Sequence, residues 1–228
     1  MRNFEGVCLA ILLVVGVQSL AGAEPLSNKE GGAGLKEALA RGAGMAVDSL
    51  GKEGGFLGNP QVKIGLPESL QKGEKLARKL GMSKSLDELT EAMNHAAEQA
   101  VVEARPILIN AVGKMSISDA GSIISGGDDA ATQYFKRTTA APIGEKFLPI
   151  VQKATAKVQL ADKYNQYASK AAQLGLLDQK DANLDAYVTR KALDGLFVMI
   201  AEQEKAIRRD PIGTGSALLQ KVFKSLGN

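Results

Sequence analysis

Asp128 and Asp129 stand side by side directly behind Gly126-Gly127, with Tyr134 and Arg137 in the helical turns that follow. Two carboxylates beside a glycine turn are the residue types for acid–base work or for holding a divalent cation. The plainer reading is architectural. Asp128 caps a helix, and Asp129 is a first-turn acid matched to the helix dipole. Two points favour it. Neighbouring residues on a helix project about 100° apart and do not converge on one substrate atom. Glycoside chemistry also needs an acid and a partner facing each other across the bond, and the sequence places no second carboxylate opposite. Tyr134 and Arg137 share a helix face and could line a cleft beside the turn. The alternative is a core tyrosine with its hydroxyl at the rim.

Asp194 lies within an apolar run, residues 192–201, broken only by itself and Gly195. A carboxylate there needs a partner or a proton. Arg190, four residues earlier, and Lys191, three earlier, make a buried or half-buried ion pair the expected structural role. An acid working in a pocket is the functional alternative. His95, with Glu91 and Gln99 four residues to either side, is expected on an exposed polar face. The group Glu202, Glu204, Lys205, Arg208, Arg209 and Asp210 reads as a solvated face or a docking surface. No nucleophile-elbow motif, phosphate loop or dinucleotide fingerprint is present.

The elements that must carry these residues are almost all helical by apolar period. Ser27 and Glu30 form a capping box ahead of a helix with Leu35, Leu39, Val47 and Leu50 on one face, ended by Gly51. Gly42 and Gly44 weaken that helix by about 1 kcal/mol each but admit a close neighbour. Residues 55–66 are the exception. Val62, Ile64 and Leu66 alternate with Lys63 and Gly65, which predicts a short β-hairpin or an extended loop packed on helices. Pro67 opens the next helix, with Leu70, Leu76 and Leu80 inward and Gly81 past its end. Ser85 and Glu88 cap another, with Leu86, Leu89, Met93, Ala97 and Ala100 as its stripe and a break or kink at Pro106. Ser116 with Asp119 predicts a capping box and a helix starting near Ile117. Pro142 and Pro149 divide the following region, and Val158 falls in its apolar run. A further helix ends at Gly175. Asn183 caps the longest helix, to about Arg209, whose apolar middle marks it as central and buried. A last amphipathic helix carries Leu218, Leu219, Val222, Phe223 and Leu226. The fold class is therefore all-α, a mainly helical single-domain bundle with at most one short β-hairpin.

Residues 1–23 read as a cleaved signal peptide. Arg2 precedes the apolar run of residues 7–17, and Ala21-Gly22-Ala23 supplies the cleavage site. Cutting after Ala23 leaves residues 24–228 as a single helical domain, expected to be exported and periplasmic. No later stretch is apolar enough to span a bilayer. The one cysteine, Cys8, lies in the leader, and the one histidine is His95. Disulfides and intrachain Cys/His metal sites are thereby excluded from the mature chain, so neither metal nor cofactor is expected. A net charge of +3 without a lysine–arginine block or interleaved aromatics argues against nucleic acid.

Four stretches together resemble one family, exported bacterial proteins catalogued as domain of unknown function 4197. They are residues 55–60 (GFLGNP) followed by Ile64 and Leu66 to Leu70; residues 126–135 (GGDDAATQYF); Lys146 to Pro149; and Lys191 to Phe197 through Asp210-Pro211. The resemblance implies a mostly helical exported domain and brings no activity, so no residue inherits a catalytic role.

Two functions follow from the residues. The first is a non-catalytic periplasmic module that binds a protein partner or a small apolar ligand, with Asp128, Asp129, Tyr134, Arg137 and Asp194 as candidate binding residues. The second is an envelope hydrolase using Asp128, Asp129 or Asp194.

Overall fold

The computed structural model describes residues 28–157 and 159–210. The leader with its cleavage site, Ser27 of the first capping box, Val158 and the expected last helix lie outside these residues. The chain forms α1 (Asn28–Leu50), α2 (Gln71–Ala77), α3 (Ser83–Val101), α4 (Ala104–Lys114), α5 (Ile117–Ser125), α6 (Ala130–Thr155), α7 (Gln159–Gln173) and α8 (Leu184–Arg209). No strand occurs among the described residues. The molecule is an all-α bundle, and no single described helix is long and apolar enough to cross a membrane.

Two 26-residue helices, α6 and α8, form the spine. They pack on each other, with α3 against both, α1 against α8, and α4 against α1 and α6. The stripe expected on α3 is buried throughout, with Met93, Ala96, Ala97 and Ala100 fully inaccessible. On α8, Ala192, Leu196, Phe197 and Ile200 are buried, and Asn183 caps the helix by accepting from Ala186 N at 2.9 Å. Gly42 of α1 lets α8 approach, since a Cβ there would stand 3.1 Å from Ile207 Cδ1.

Of the two readings of residues 55–66 the loop holds, and four other expectations change on folding. The hairpin at residues 55–66 does not form, because α3 side chains occupy the backbone groups a partner strand would need. Asn94 accepts from Ile64 N at 2.8 Å and donates to Ile64 O at 2.9 Å. Glu98 Oε1 accepts from Phe56 N and Leu57 N at 3.0 and 3.1 Å.

Pro142 and Pro149 do not divide α6. An internal proline costs about 3 kcal/mol. Burying Phe135, Ile143, Phe147 and Val151 on one face returns about 1.5–3 kcal/mol each.

The break after α3 falls at Val102-Glu103, which puts Pro106 in the first turn of α4, where no amide donor is needed. The expected Ser85 cap is likewise not formed: α3 starts at Ser83, behind Gly81 at φ +87°.

Leu76 and Leu80 do not point inward; they are 60% and 73% exposed. A short α2 packs chiefly on its own flanking turns, so its apolar period has no neighbour to meet.

Candidate functional site

The α5–α6 unit forms as its sequence dictates and then departs from it at one point. Ser116 Oγ accepts from Asp119 N at 3.0 Å, and Asp119 Oδ2 accepts from Ser116 N at 3.0 Å, completing the capping box. The Ser116 hydroxyl, donating to Asp119 Oδ2 at 2.7 Å, and then the Ser116 amide hold the Asp119 carboxyl below the usual carboxylate range. Glycine is required at Gly126 because a Cβ there would lie 2.6 Å from Ala130 Cβ and 2.7 Å from Ser122 O.

Asp128 does not cap α6. The N-cap is Asp129, which makes no side-chain cap bond and instead accepts from Gln133 Nε2 at 2.9 Å. The cap comes from α8. Glu204 accepts from Ala131 N and Thr132 N, both at 2.9 Å, and from Thr132 Oγ1 at 2.8 Å. Arg208 balances it at 2.9 Å and reaches on to Ile123 O at 3.0 Å. Glu204 is 4% exposed, so the expected solvated face is buried at this residue. Reaching in from α8, the two oxygens of Glu204 meet two helix donors at the positive end of the dipole, while Asp129 is engaged with Gln133.

Asp128 and Asp129 are therefore exposed turn residues. Asp194 is exposed as well. Of its two expected partners, Arg190 pairs with Asp181 and stacks over the Tyr187 ring, 5.3 Å from the centroid, and Lys191 lies 6.0 Å from the same centroid. Gly195 makes a close contact with the 55–66 loop. A Cβ on Gly195 would stand 2.7 Å from Phe56 Cε1 and 3.2 Å from Val62 Cβ. His95 is half-buried, with Nδ1 2.8 Å from Glu98 Oε2 and Nε2 3.6 Å from Glu91. Glu98 raises its pKa.

Tyr134 and Arg137 are brought together. Along with Pro106, Ile107, Ala111 and Pro142 they line an open groove of about 670 Å³ between α4 and α6. Tyr134 is buried, its hydroxyl donates to Ala111 O at 2.9 Å, and Arg137 lies 5.8 Å from its ring centroid. Burial pushes the phenol above its ordinary pKa, so it stays a neutral donor. Lys114 and Asn110 stand in the same groove and were not singled out by sequence, and Asp119, read there only as a capping-box acid, joins them. On α4, Asn110 and Lys114 share the face of Ile107 and Ala111 at spacings of three and four, which is the signal that would have found them. Asp128, Asp129 and Asp194 line neither this groove nor the larger cleft described next.

That second cleft, about 970 Å³, lies between the segment 63–71, the turn after α7 and α8. Its charges largely satisfy one another. Arg190 pairs with Asp181, Lys180 with Asp178 at 2.8 Å, and Tyr187 donates to Gly65 O at 2.7 Å. Burial raises the Tyr187 phenol to about 12. Among the described residues no three His, Cys, Asp or Glu side chains converge as a metal site would require.

With this geometry in place, the chain matches the family model described as Protein of unknown function (DUF4197) over residues 25–224. The chain belongs to the DUF4197 family. No curated protein and no solved structure matches it. In this DUF4197 chain the stretches that carry the resemblance meet in space. Residues 55–60 lie against Gly195 of the 191–197 stretch, and Ala131 and Thr132 of residues 126–135 are held by Glu204.

Proposed function

We propose that this DUF4197 protein is a non-catalytic, exported helical module that binds a small apolar ligand in the α4–α6 groove. The observation that carries the reading is the groove itself, where Tyr134 and Arg137 meet over Ile107, Ala111 and Pro142. Its threonine hydroxyls are occupied: Thr138 donates to Tyr134 O at 2.8 Å and Thr139 to Phe135 O at 2.6 Å. A concave apolar wall such as that of Pro106, Ile107, Ala111 and Pro142, with a few polar groups at one end, is how proteins hold apolar ligands. Export rests on the leader-like pattern of residues 1–23 alone.

The hydrolase alternative draws no support from the arrangement. Asp128, Asp129 and Asp194 are exposed and line neither large cleft, and a general acid needs a reacting atom held in front of it.

Native mass spectrometry tests the reading on protein purified from the envelope fraction of its own host. A ligand-bearing mass is expected, with a small apolar molecule recovered on solvent extraction. Ala111→Phe, which places a ring in the groove, should empty it. A clean apo mass with nothing extracted would overturn the reading. Turnover of cell-wall or ester substrates that is lost in an Asp128→Asn/Asp129→Asn double variant would replace it with the hydrolase.

A further inference from the structure

The α4–α6 groove is polarised. One end carries Pro106, Ile107 and Pro142; the other carries Lys114, Asp119, Tyr134 and Arg137. The distance from Pro106 to Lys114 along α4 is about 12 Å at 1.5 Å per residue. The polar end has donors in excess of acceptors. Tyr134 has already committed its proton to Ala111 O. Asp119 Oδ2 already accepts from both Ser116 N and Ser116 Oγ, the latter at 2.7 Å. Lys114 and Arg137, by contrast, have no carboxylate within salt-bridge distance among the described residues, the charge of Arg137 bearing on Asp119 only from further away. Arg137 rests against the Tyr134 ring, which orients its guanidinium without neutralising it. Two cations therefore face one acid that is already engaged, beside an apolar wall.

We infer that the ligand of this groove is an anionic amphiphile, a single apolar chain lying on Ile107, Ala111 and Pro142 with its oxyanion between Lys114 and Arg137. The inference rests on the groove being a ligand site and adds the chemistry of what it takes. Arg137 supplies a planar fork suited to a carboxylate or phosphate, and Lys114 supplies a second positive charge. A neutral chain would gain the wall contacts but leave those donors to water. A cationic head would meet like charge.

Isothermal titration of the full chain with octanoate, decanoate, decyl phosphate and decanol separates the parts. Decanoate and decyl phosphate should bind at least about tenfold more tightly than decanol, and the advantage should shrink as salt is raised. Decanoate should exceed octanoate by about fourfold per added methylene. Both cations are exposed, so Arg137→Gln and Lys114→Gln should fold normally. Each should weaken decanoate about three- to tenfold while leaving decanol unchanged. Equal binding of decanol and decanoate to the unaltered protein would overturn the head-group inference and leave the apolar site standing. So would discrimination that survives both substitutions. Binding of none of the four probes would instead remove the ligand site itself.

Discussion

Glu98 on α3 and Glu204 on α8 bury their carboxylates against the ends of other segments. Glu98 receives Phe56 N and Leu57 N from the 55–66 loop; Glu204 receives Ala131 N and Thr132 N from the start of α6. Each takes two consecutive amides that local structure leaves without acceptors. Their cations differ. Glu204 is balanced by Arg208, a residue type that keeps its charge across the neutral range. Glu98 is balanced by His95, which does not. The same architectural device is thus fixed at one site and titratable at the other. A buried carboxylate needs a counter-charge, and the identity of that charge decides whether the joint responds to pH.

The largest effect should come from removing the fixed joint. Glu204→Ala strips two helix donors and leaves Arg208 holding only Ile123 O, and should cost about 3–5 kcal/mol in urea unfolding. Glu98→Ala should cost less, about 2–3 kcal/mol, because its cation can lose its proton. Equal losses would mean the two joints are not distinguished by their cations. Gly195→Ala attacks the second support of the loop. Its Cβ meets Phe56 and Val62, and about 1–3 kcal/mol should be lost. An unchanged urea midpoint would show that the loop gives way freely.

The pH dependence is smaller and carries a definite sign. Glu98, through its hydrogen bond, raises the folded His95 pKa above the ordinary 6.5, with Glu91 adding to it. The stabilisation is therefore complete below about 6.5 and is lost as pH rises through the raised folded value. Partial exposure of the ring keeps it within about 1 kcal/mol. Hydrogen-exchange protection at Phe56 and Leu57 should fall across that window, while Ala131 and Thr132 stay level. His95→Gln should remove the slope at the loop. A parallel slope at both joints would break the comparison. Smallest of all, Asp128→Asn and Asp129→Asn should shift stability by less than about 0.5 kcal/mol, since neither caps α6. A loss of 1 kcal/mol or more in thermal melts would restore the capping role that Glu204 has taken.

The helices were legible because apolar spacing, Ser116, Asn183 and Gly175 act through neighbours a few residues away. Ser116 caps α5 and Asn183 caps α8 where expected. Gly175, at φ +72°, closes α7 with Gly175 N on Ala172 O and Leu176 N on Ala171 O. Half of the candidate site was legible for the same reason. Tyr134 and Arg137 share a face by spacing, but only the approach of α4 turns that face into a groove. Asn94 and Glu98 escaped notice and Glu204 was read as part of a solvated face, although each falls within its helix's apolar register: Asn94 and Glu98 beside Met93 and Ala97, Glu204 between Ile200 and Ile207. A polar residue in that register is the signal to look for.

The sequence by itself determined where helices form and which faces are apolar, since both follow from short-range period and backbone preference. The tertiary structure alone decided that residues 55–66 make a pinned loop, that α6 runs through two prolines, and that Glu204 rather than Asp128 caps it. The loop and the cap turn on donors and acceptors separated by tens of residues, whose pairing no local pattern encodes, and the unbroken α6 turns on the burial of its apolar face. Packing brings them together, and the cost of leaving a buried amide unpaired then selects the partner.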